Sequence, residues 1–362
     1  MRLFLPNNQS KWKIDYQPVE KGVFSALKTV VLKNYSKLAD DIKSVEQVAE
    51  TEINSNNFKV TASKNGQNKF FLLRRYPEGL DTSYVKSVYG AMRFLLKGGL
   101  KIPEIIKADS GDELIIVFPH GYAMFSFLDA NHFRGALEEI ESVAGAFGRL
   151  DFLLSRLPNA EILKKQIAFP EEVFKIREFS REIWTGIFNK VEELCRNTKD
   201  EFDEKLLSLK DFIFDAIEKT PPGAYDDLPK QIIHFDLHPH NLLTDGKKLS
   251  AILDFDSLRF FERMRGVAFS MHRLVRQHVV FTNPKNVKIA VANAKEVFLR
   301  AYQKENQLTE EELGAVAYFI RHEALSRLSL VIKNLLYKNN SAWKGDFEKQ
   351  ISNIAESEYF EN

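Results

Sequence analysis

Apolar residues in KGVFSALKTVVLKNY, residues 21–35, fall at helical spacing. The pattern then changes: NNFKVTASKNGQNKFFLLRRYP, residues 56–77, reads as strand, Asn-Gly turn, strand, a strong hairpin signal. A second helix is predicted over DTSYVKSVYGAMRFLLKGG, with Asp81 or Thr82 as cap, Gly98-Gly99 as stop, and Tyr84, Val88, Ala91 and Leu95 on one face. After Pro103 come EIIKA, a DSGDE turn and the apolar strand LIIVF, stopped by Pro119. From about residue 130 the period is near 3.6, beginning with FRGALEEIESVAGAFGRLDFLLSRL and continuing to Thr220. PPGAYDDLP is a loop, and a short β segment follows before helical spacing resumes from Arg259 to the end. The layout expected is α+β: a small mixed lobe, residues 1–118, and a large helical lobe, residues 119–362, with one β segment embedded in it.

That embedded segment holds the densest polar chemistry. QII is a strand, HFDLHPHN is a loop fixed by Pro239, and NLL begins a strand that turns tightly at Asp245-Gly246 and returns as KLSAILDF. The return brings Asp254 beside Asn241, so Asp236, Asn241 and Asp254 converge on one small volume. His234, His238 and His240 suggest zinc, but Pro239 interrupts the strand and His272, His278 and His322 stand at no ligand spacing. A polar turn satisfying buried backbone groups explains the composition but not the acidic pair Asp254 and Asp256. Phosphoryl transfer explains both: a carboxylate to take the acceptor's proton, and oxygen ligands for a divalent cation on the nucleotide phosphates. Protein kinases place a catalytic Asp, an Asn five residues on, and a metal-binding Asp-Phe-Gly beyond a short hairpin; Asp236, Asn241 and Asp254-Phe255-Asp256 keep that order.

HFDLHPHN and AILDFD resemble the HGDLHPGN loop and the IDFD segment of the aminoglycoside phosphotransferase and choline kinase group. These are small-molecule kinases with a two-lobed protein-kinase-like fold. The resemblance implies Asp236 as catalytic base, Asn241 and Asp254 as Mg²⁺ ligands, Asp256 as a supporting or second-metal carboxylate, and His234 and His238 as supports of the loop. Phe235 and His240 stand where the family has glycines; Phe235 is expected to stiffen the loop and His240 to face the acceptor. FFLLRRYP resembles the strand whose basic residue grips the nucleotide's α- and β-phosphates, which selects Arg74, with Arg75 in reserve. INSNNFKV resembles the phosphate-covering turn without its glycines, leaving Ser55, Asn56 and Asn57. The following helix carries Lys86, Arg93 and Lys97 but no glutamate for the basic residue. That ion pair is therefore missing, rearranged, or supplied by Glu78 or another acid. LIIVFPHGYAMFSFLD resembles the segment linking the lobes, so Phe118, His120 and Tyr122 are the adenine contacts expected.

Composition narrows the rest. The 362 residues are 44% hydrophobic and 28% charged with a net charge of +1, so no global field draws the chain to nucleic acid or an anionic membrane. A single cysteine, Cys195, excludes an internal disulfide framework, suits a reducing compartment and has no activating base nearby in sequence. No signal peptide or membrane-length apolar run is visible, so a cytoplasmic protein is expected. LRFFERMRGVAFSMHRLVRQ sets Arg259, Arg263, Arg265, Arg273 and Arg276 against Glu262. This argues against a polycationic aminoglycoside and for a neutral or anionic hydroxyl compound such as a sugar; Phe260, Phe261 and Phe269 read as core rather than a cage for a choline-type cation. The leading expectation is an ATP- and Mg²⁺-dependent kinase of a small-molecule hydroxyl, of sugar or amino-alcohol type. A protein Ser/Thr kinase and a catalytically silent nucleotide-binding scaffold remain as alternatives.

Overall fold

The computed structural model describes residues 3–4, 16–48, 56–165, 177–197, 201–338 and 344–361. The N-terminal part contains β1 (Tyr16–Pro18), α1 (Lys21–Asn34), β2 (Asp41–Val48), β3 (Asn57–Lys64), β4 (Gln67–Tyr76), α2 (Thr82–Lys97), β5 (Ile105–Ile106), β6 (Ile115–Val117) and β7 (His120–Ser126). These seven strands form one antiparallel sheet, ordered β1-β2-β3-β4-β7-β5, with β6 also on β7. Asn65 and Gly66 both take positive φ, 50° and 76°, which is the backbone the β3–β4 turn demands. Asp81 caps α2 by accepting from the Ser83 and Tyr84 amides.

Strand alternation gives the sheet two different faces. Phe71 and Leu73 of β4 pack with Leu27, Val30 and Val31 of α1. Leu72 and Tyr76 turn the other way, into the core shared with Val88 and Leu95 of α2 and with the helical lobe. Arg74 lies on that second face and Arg75 on the first.

The helical part contains β8 (Asn131–His132), α3 (Leu137–Leu154), α4 (Glu161–Lys165), α5 (Arg181–Asn197), α6 (Glu201–Ser208), α7 (Lys210–Glu218), β9 (Lys230–His234), β10 (Leu242–Thr244), β11 (Leu249–Ile252), β12 (Leu258–Glu262), α8 (Arg263–Thr282), α9 (Val287–Glu305), α10 (Glu310–Gly314), α11 (Val316–Lys338) and α12 (Lys344–Glu356). Its main core packs α3, α8 and α9 around Phe147, Phe298 and Tyr302. A separate cluster joins α5 and α7 to α11 and α12 through Trp184, Phe188, Leu325, Leu328 and Phe347. No helix among the described residues is long and apolar enough to cross a membrane.

Three expectations change. The boundary at 118/119 cuts the β6–β7 hairpin: β7 is a full member of the sheet, so the first lobe runs to Ser126. Residues 258–262 form β12, paired antiparallel with β9, rather than the start of a helix. The β10–β11 connection is not a tight Asp-Gly turn, because Thr244 pairs with Leu249 and the Asp245 carboxylate accepts from the Lys247 and Lys248 amides to shape a longer loop. Side-chain surroundings of Cys195 lie outside the described residues.

Beneath the β9 strand, Asp151 of α3 is fully buried; its Oδ2 accepts from the Tyr302 hydroxyl at 2.7 Å, while its Oδ1 has no partner. Burial outweighs that hydrogen bond and the nearby Arg263, pushing the carboxyl up to about 7. The folded state therefore binds a proton that the unfolded chain releases near pH 4, so this group's contribution to stability declines as pH rises from about 4 to about 7. Asp151→Asn is expected to raise unfolding stability at pH 8 by on the order of 1–2 kcal/mol and to give no gain at pH 4. Urea melts at the two pH values check this; an equal effect at both would refute it.

Candidate active site

The loop after β9 is closed by backbone acceptors. His234 is wholly buried and its Nε2 donates to the Leu253 carbonyl at 2.9 Å. Burial lowers its pKa, so the ring is neutral and donates from Nε2 alone, leaving Nδ1 without a partner. Asn241 Nδ2 donates to the Asp236 carbonyl at 2.8 Å, and the Asn241 carbonyl accepts from the Leu253 amide at 2.9 Å. The hairpin's return thereby brings Asp236, Asn241 and Asp254 into one neighbourhood. Asn241 Oδ1 is left as the end of that amide open to a cation.

His238 Nε2 lies 3.4 Å from Asp236 Oδ2. Burial pushes the Asp236 carboxyl up, but His238 and Arg327 outweigh it and hold it below the usual range, so it is ionised at neutral pH. Phe235 is buried beneath, stacked on Phe269 and tilted against Phe261. Phe261 and Phe269 thus serve as packing. His240 does not face the cavity beside Asp236; its ring packs edge-on against His132 of β8 and His238.

Asp254 sits in the left-handed region, φ 60° and ψ 58°, where Asp is better tolerated than most residues. Arg74 reaches across from β4 to Asp254 Oδ1 at 3.2 Å and Asp256 Oδ2 at 2.7 Å, above the Tyr76 ring. Burial and the neighbouring Asp254 raise the Asp256 carboxyl, against the pull of Arg74 and Arg259. The acid missing from α2 is therefore replaced by the Asp-Phe-Asp segment itself. Glu78 is exposed and makes no described ion pair. In its stead α2 offers Tyr84, whose hydroxyl lies 3.0 Å from the Asp256 carbonyl and takes a hydrogen bond from Arg259 at 2.6 Å.

Asn57 faces Arg74 across the β3–β4 ladder, on the same side of the sheet, and its buried Oδ1 has no partner. Asn56 and Arg75 bind each other instead: Arg75 Nε and Nη2 both donate to Asn56 Oδ1 at 3.2 Å. Ser55 lies outside the described residues. Phe118, His120 and Tyr122 do not link the lobes. Phe118 is 87% exposed at the β6–β7 turn, and Tyr122 pairs with Arg75 on one edge and Ile115 on the other, leaving its backbone to the sheet. The chain crosses between lobes after Ser126, through residues 127–130, and β8 then pairs with β10.

A cavity of about 350 Å³ opens beside Asp236, walled by Phe235, Arg259, Arg327, Leu330 and Lys349 among others. Arg177, Arg327, Asp346 and Lys349 are cavity residues that sequence reasoning missed, because they come from helices far along the chain whose patterns read as ordinary amphipathic faces. Conversely, Arg263 is paired with buried Glu312, Arg265 with Glu262, and Arg276 with buried Glu356. A larger groove of about 940 Å³ along α9 shares no residue with this site.

Residues 44–264 match the model of the phosphotransferase enzyme family, and this is more than half of the chain. The chain belongs to that family. It is 24% identical to the homoserine kinase of Rhizobium meliloti (strain 1021), over 78% of this chain and 77% of that one. It is 28% identical to the homoserine kinase of Rhodopseudomonas palustris (strain BisB5), of whose length the match spans only 39%, and 39% of its own. Its fold is that of the amicoumacin kinase hAmiN, solved in complex with AMP-PNP, Ca²⁺ and Ami, at TM-score 0.65 and 12% identity over 95% of both chains.

No three His, Cys, Asp or Glu side chains among the described residues are gathered so as to hold a metal ion by themselves. The oxygen set of Asn241, Asp254 and Asp256 suits a hard divalent cation that also takes phosphate oxygens as ligands. Arg74→Met would leave two half-buried carboxylates facing each other. It is expected to lower stability in chelating buffer by about 1 kcal/mol and to make added Mg²⁺ raise the melting temperature more than in the wild type. Thermal melts with EDTA and with Mg²⁺ test this, and an unchanged response to Mg²⁺ would contradict the assignment of these acids to a cation.

Proposed function

We propose that the chain transfers the γ-phosphoryl group of ATP, with Mg²⁺, to a hydroxyl of a small molecule. The observation that carries this is the clamp of Asn241 on the Asp236 carbonyl and the Leu253 amide, which joins an ionised carboxylate to an oxygen-rich cation site. Asp236 orients the acceptor hydroxyl and takes its proton as the oxygen attacks the γ-phosphorus and the bond to ADP breaks. Asn241 Oδ1 and Asp254 would hold the metal, with Asp256 beside them, and a cation there would supply neutralisation of charge on the transferring phosphate oxygens. Arg74 turns from the carboxylates to the α- and β-phosphates, on the sheet face it shares with Asn57. Backbone groups of residues 127–130, not those of Phe118 to Tyr122, receive the adenine.

Support comes from the family, from relatives named for a kinase of a small hydroxyl-bearing molecule, and from a fold-mate whose complex holds AMP-PNP and Ca²⁺. The cavity of about 350 Å³ beside Asp236 has room for a small acceptor.

The test is incubation with ATP, Mg²⁺ and a panel of amino acids, sugars, amino alcohols and a generic protein substrate, following ADP. Asp236→Ala is expected to lose at least about 10³-fold in kcat while binding Mg-ATP as the wild type does. Asp254→Ala should lose both turnover and Mg-ATP affinity. Wild-type turnover in Asp236→Ala would remove the assignment of roles.

A further inference from the structure

The cavity beside Asp236 is lined by four cations, Arg177, Arg259, Arg327 and Lys349, and by two acids, Asp236 and Asp346. Arg177 and Arg327 share one buried acid, Glu323, at 2.8 and 2.6 Å. Arg259 is directed at the Asp256 and Leu258 carbonyls and the Tyr84 hydroxyl. Lys349, on α12, has no described carboxylate within ion-pair distance and no described hydrogen bond, although Asp346 stands one turn before it. Behind it Arg273 donates only to Asn353 Oδ1, at 3.2 Å, and lies over the Phe269 ring, as Arg327 does. Burial, with repulsion from Arg273, Arg327 and Arg276, brings Lys349 down to about 8. Burial and the same neighbours bring Arg273 down to about 9. Both directions mark cations held in too little counter-charge.

A neutral sugar in this space would leave those cations as they are, and a polyamine would add to the repulsion. A compact anion relieves both. Phe235, Leu330 and Val331 add an apolar part to the lining that suits a short carbon chain. We propose that the acceptor is a short hydroxylated carboxylic acid whose carboxylate binds Lys349, backed by Arg327, while its hydroxyl faces Asp236. This rests on the phosphotransferase reading above and makes Lys349 the residue that selects the acceptor's charge. The transfer is balanced as written there: the hydroxyl proton goes to Asp236, the γ-phosphoryl to the acceptor oxygen, and ADP leaves.

The experiment uses matched pairs, 4-hydroxybutyrate, L-serine and L-homoserine each against its carboxamide, with Mg-ATP and the full chain. The wild type is expected to favour a carboxylate over its carboxamide by about tenfold or more in kcat/KM. Lys349→Met should collapse that preference through KM with little change in kcat, keeping wild-type affinity for Mg-AMP-PNP, and Lys349→Arg should restore it. In the wild type the KM for the carboxylate should rise as pH passes about 8 and Lys349 loses its proton; in Lys349→Arg it should stay flat. Equal use of carboxamides, or an undiminished preference in Lys349→Met, overturns the proposal. So does transfer confined to sugars, amino alcohols or sugar phosphates, or no turnover of any probe while Mg-AMP-PNP still binds. Failure to bind Mg-AMP-PNP would instead overturn the phosphotransferase reading itself.

Discussion

Two carboxylates held close in a half-buried turn cannot both stay ionised without a cation between them, and this constraint organises the molecule around Asp254 and Asp256. Arg74 meets it from the opposite lobe, so the sheet and the helical part share an electrostatic contact at the point where the chemistry is sited. A divalent ion and Arg74 would compete for the same oxygens. Each relieves the same repulsion, and phosphate oxygens give the arginine somewhere else to go. This also accounts for an α2 without glutamate: the charge partner of Arg74 comes from the Asp-Phe-Asp segment, and Tyr84 provides the tie between α2 and that segment.

The loop achieves its placement without using the groups proposed for the reaction. His234, Asn241 Nδ2 and the Leu253 amide act on carbonyl oxygens, leaving the Asp236 carboxylate, the Asp254 carboxylate and Asn241 Oδ1 outside the scaffold bonds. A neutral buried histidine suits this use, since a charged ring in the same place would compete for the neighbouring acids. Phe235 packs on Phe269 and Phe261 beneath the same turn.

What could be read from the sequence was what is decided locally. Asn65-Gly66 fixes a turn, Asp81 caps a helix, and the Asp236 to Asp254 spacing fixes a loop and a return strand, because each depends on residues a few positions apart. What could not be read was decided by pairing at a distance. LRFFE has the apolar spacing of either element and becomes a strand only because β9 offers it an edge. Phe118 to Tyr122 looked like a lobe link because an apolar strand ended at a proline. In the fold the strand doubles back as β6–β7, and the link comes one strand later. The choice between Arg74 and Arg75 is a matter of parity: adjacent strand residues face opposite ways, and only the core packing of Leu72 and Tyr76 against Phe71 and Leu73 reveals which face meets the other lobe.

Charge near the acceptor shows the same limit more sharply. Five arginines stand close together between residues 259 and 276, yet proximity in sequence says nothing of where their counter-charges lie. Glu312, Glu262 and Glu356 neutralise Arg263, Arg265 and Arg276, so most of that run is structural. Of that run only Arg259 lines the cavity beside Asp236, and the rest of the charge there comes from Arg177 and from Arg327 and Lys349 of α11 and α12, on positions that individually read as solvated helix surface. A half-buried cation with no carboxylate in ion-pair reach is costly to the fold. Its persistence at Lys349, one helix away from an ionised base, is more economically explained by a ligand that completes the pair than by stability, since replacing it with an apolar side chain would remove the repulsion at once.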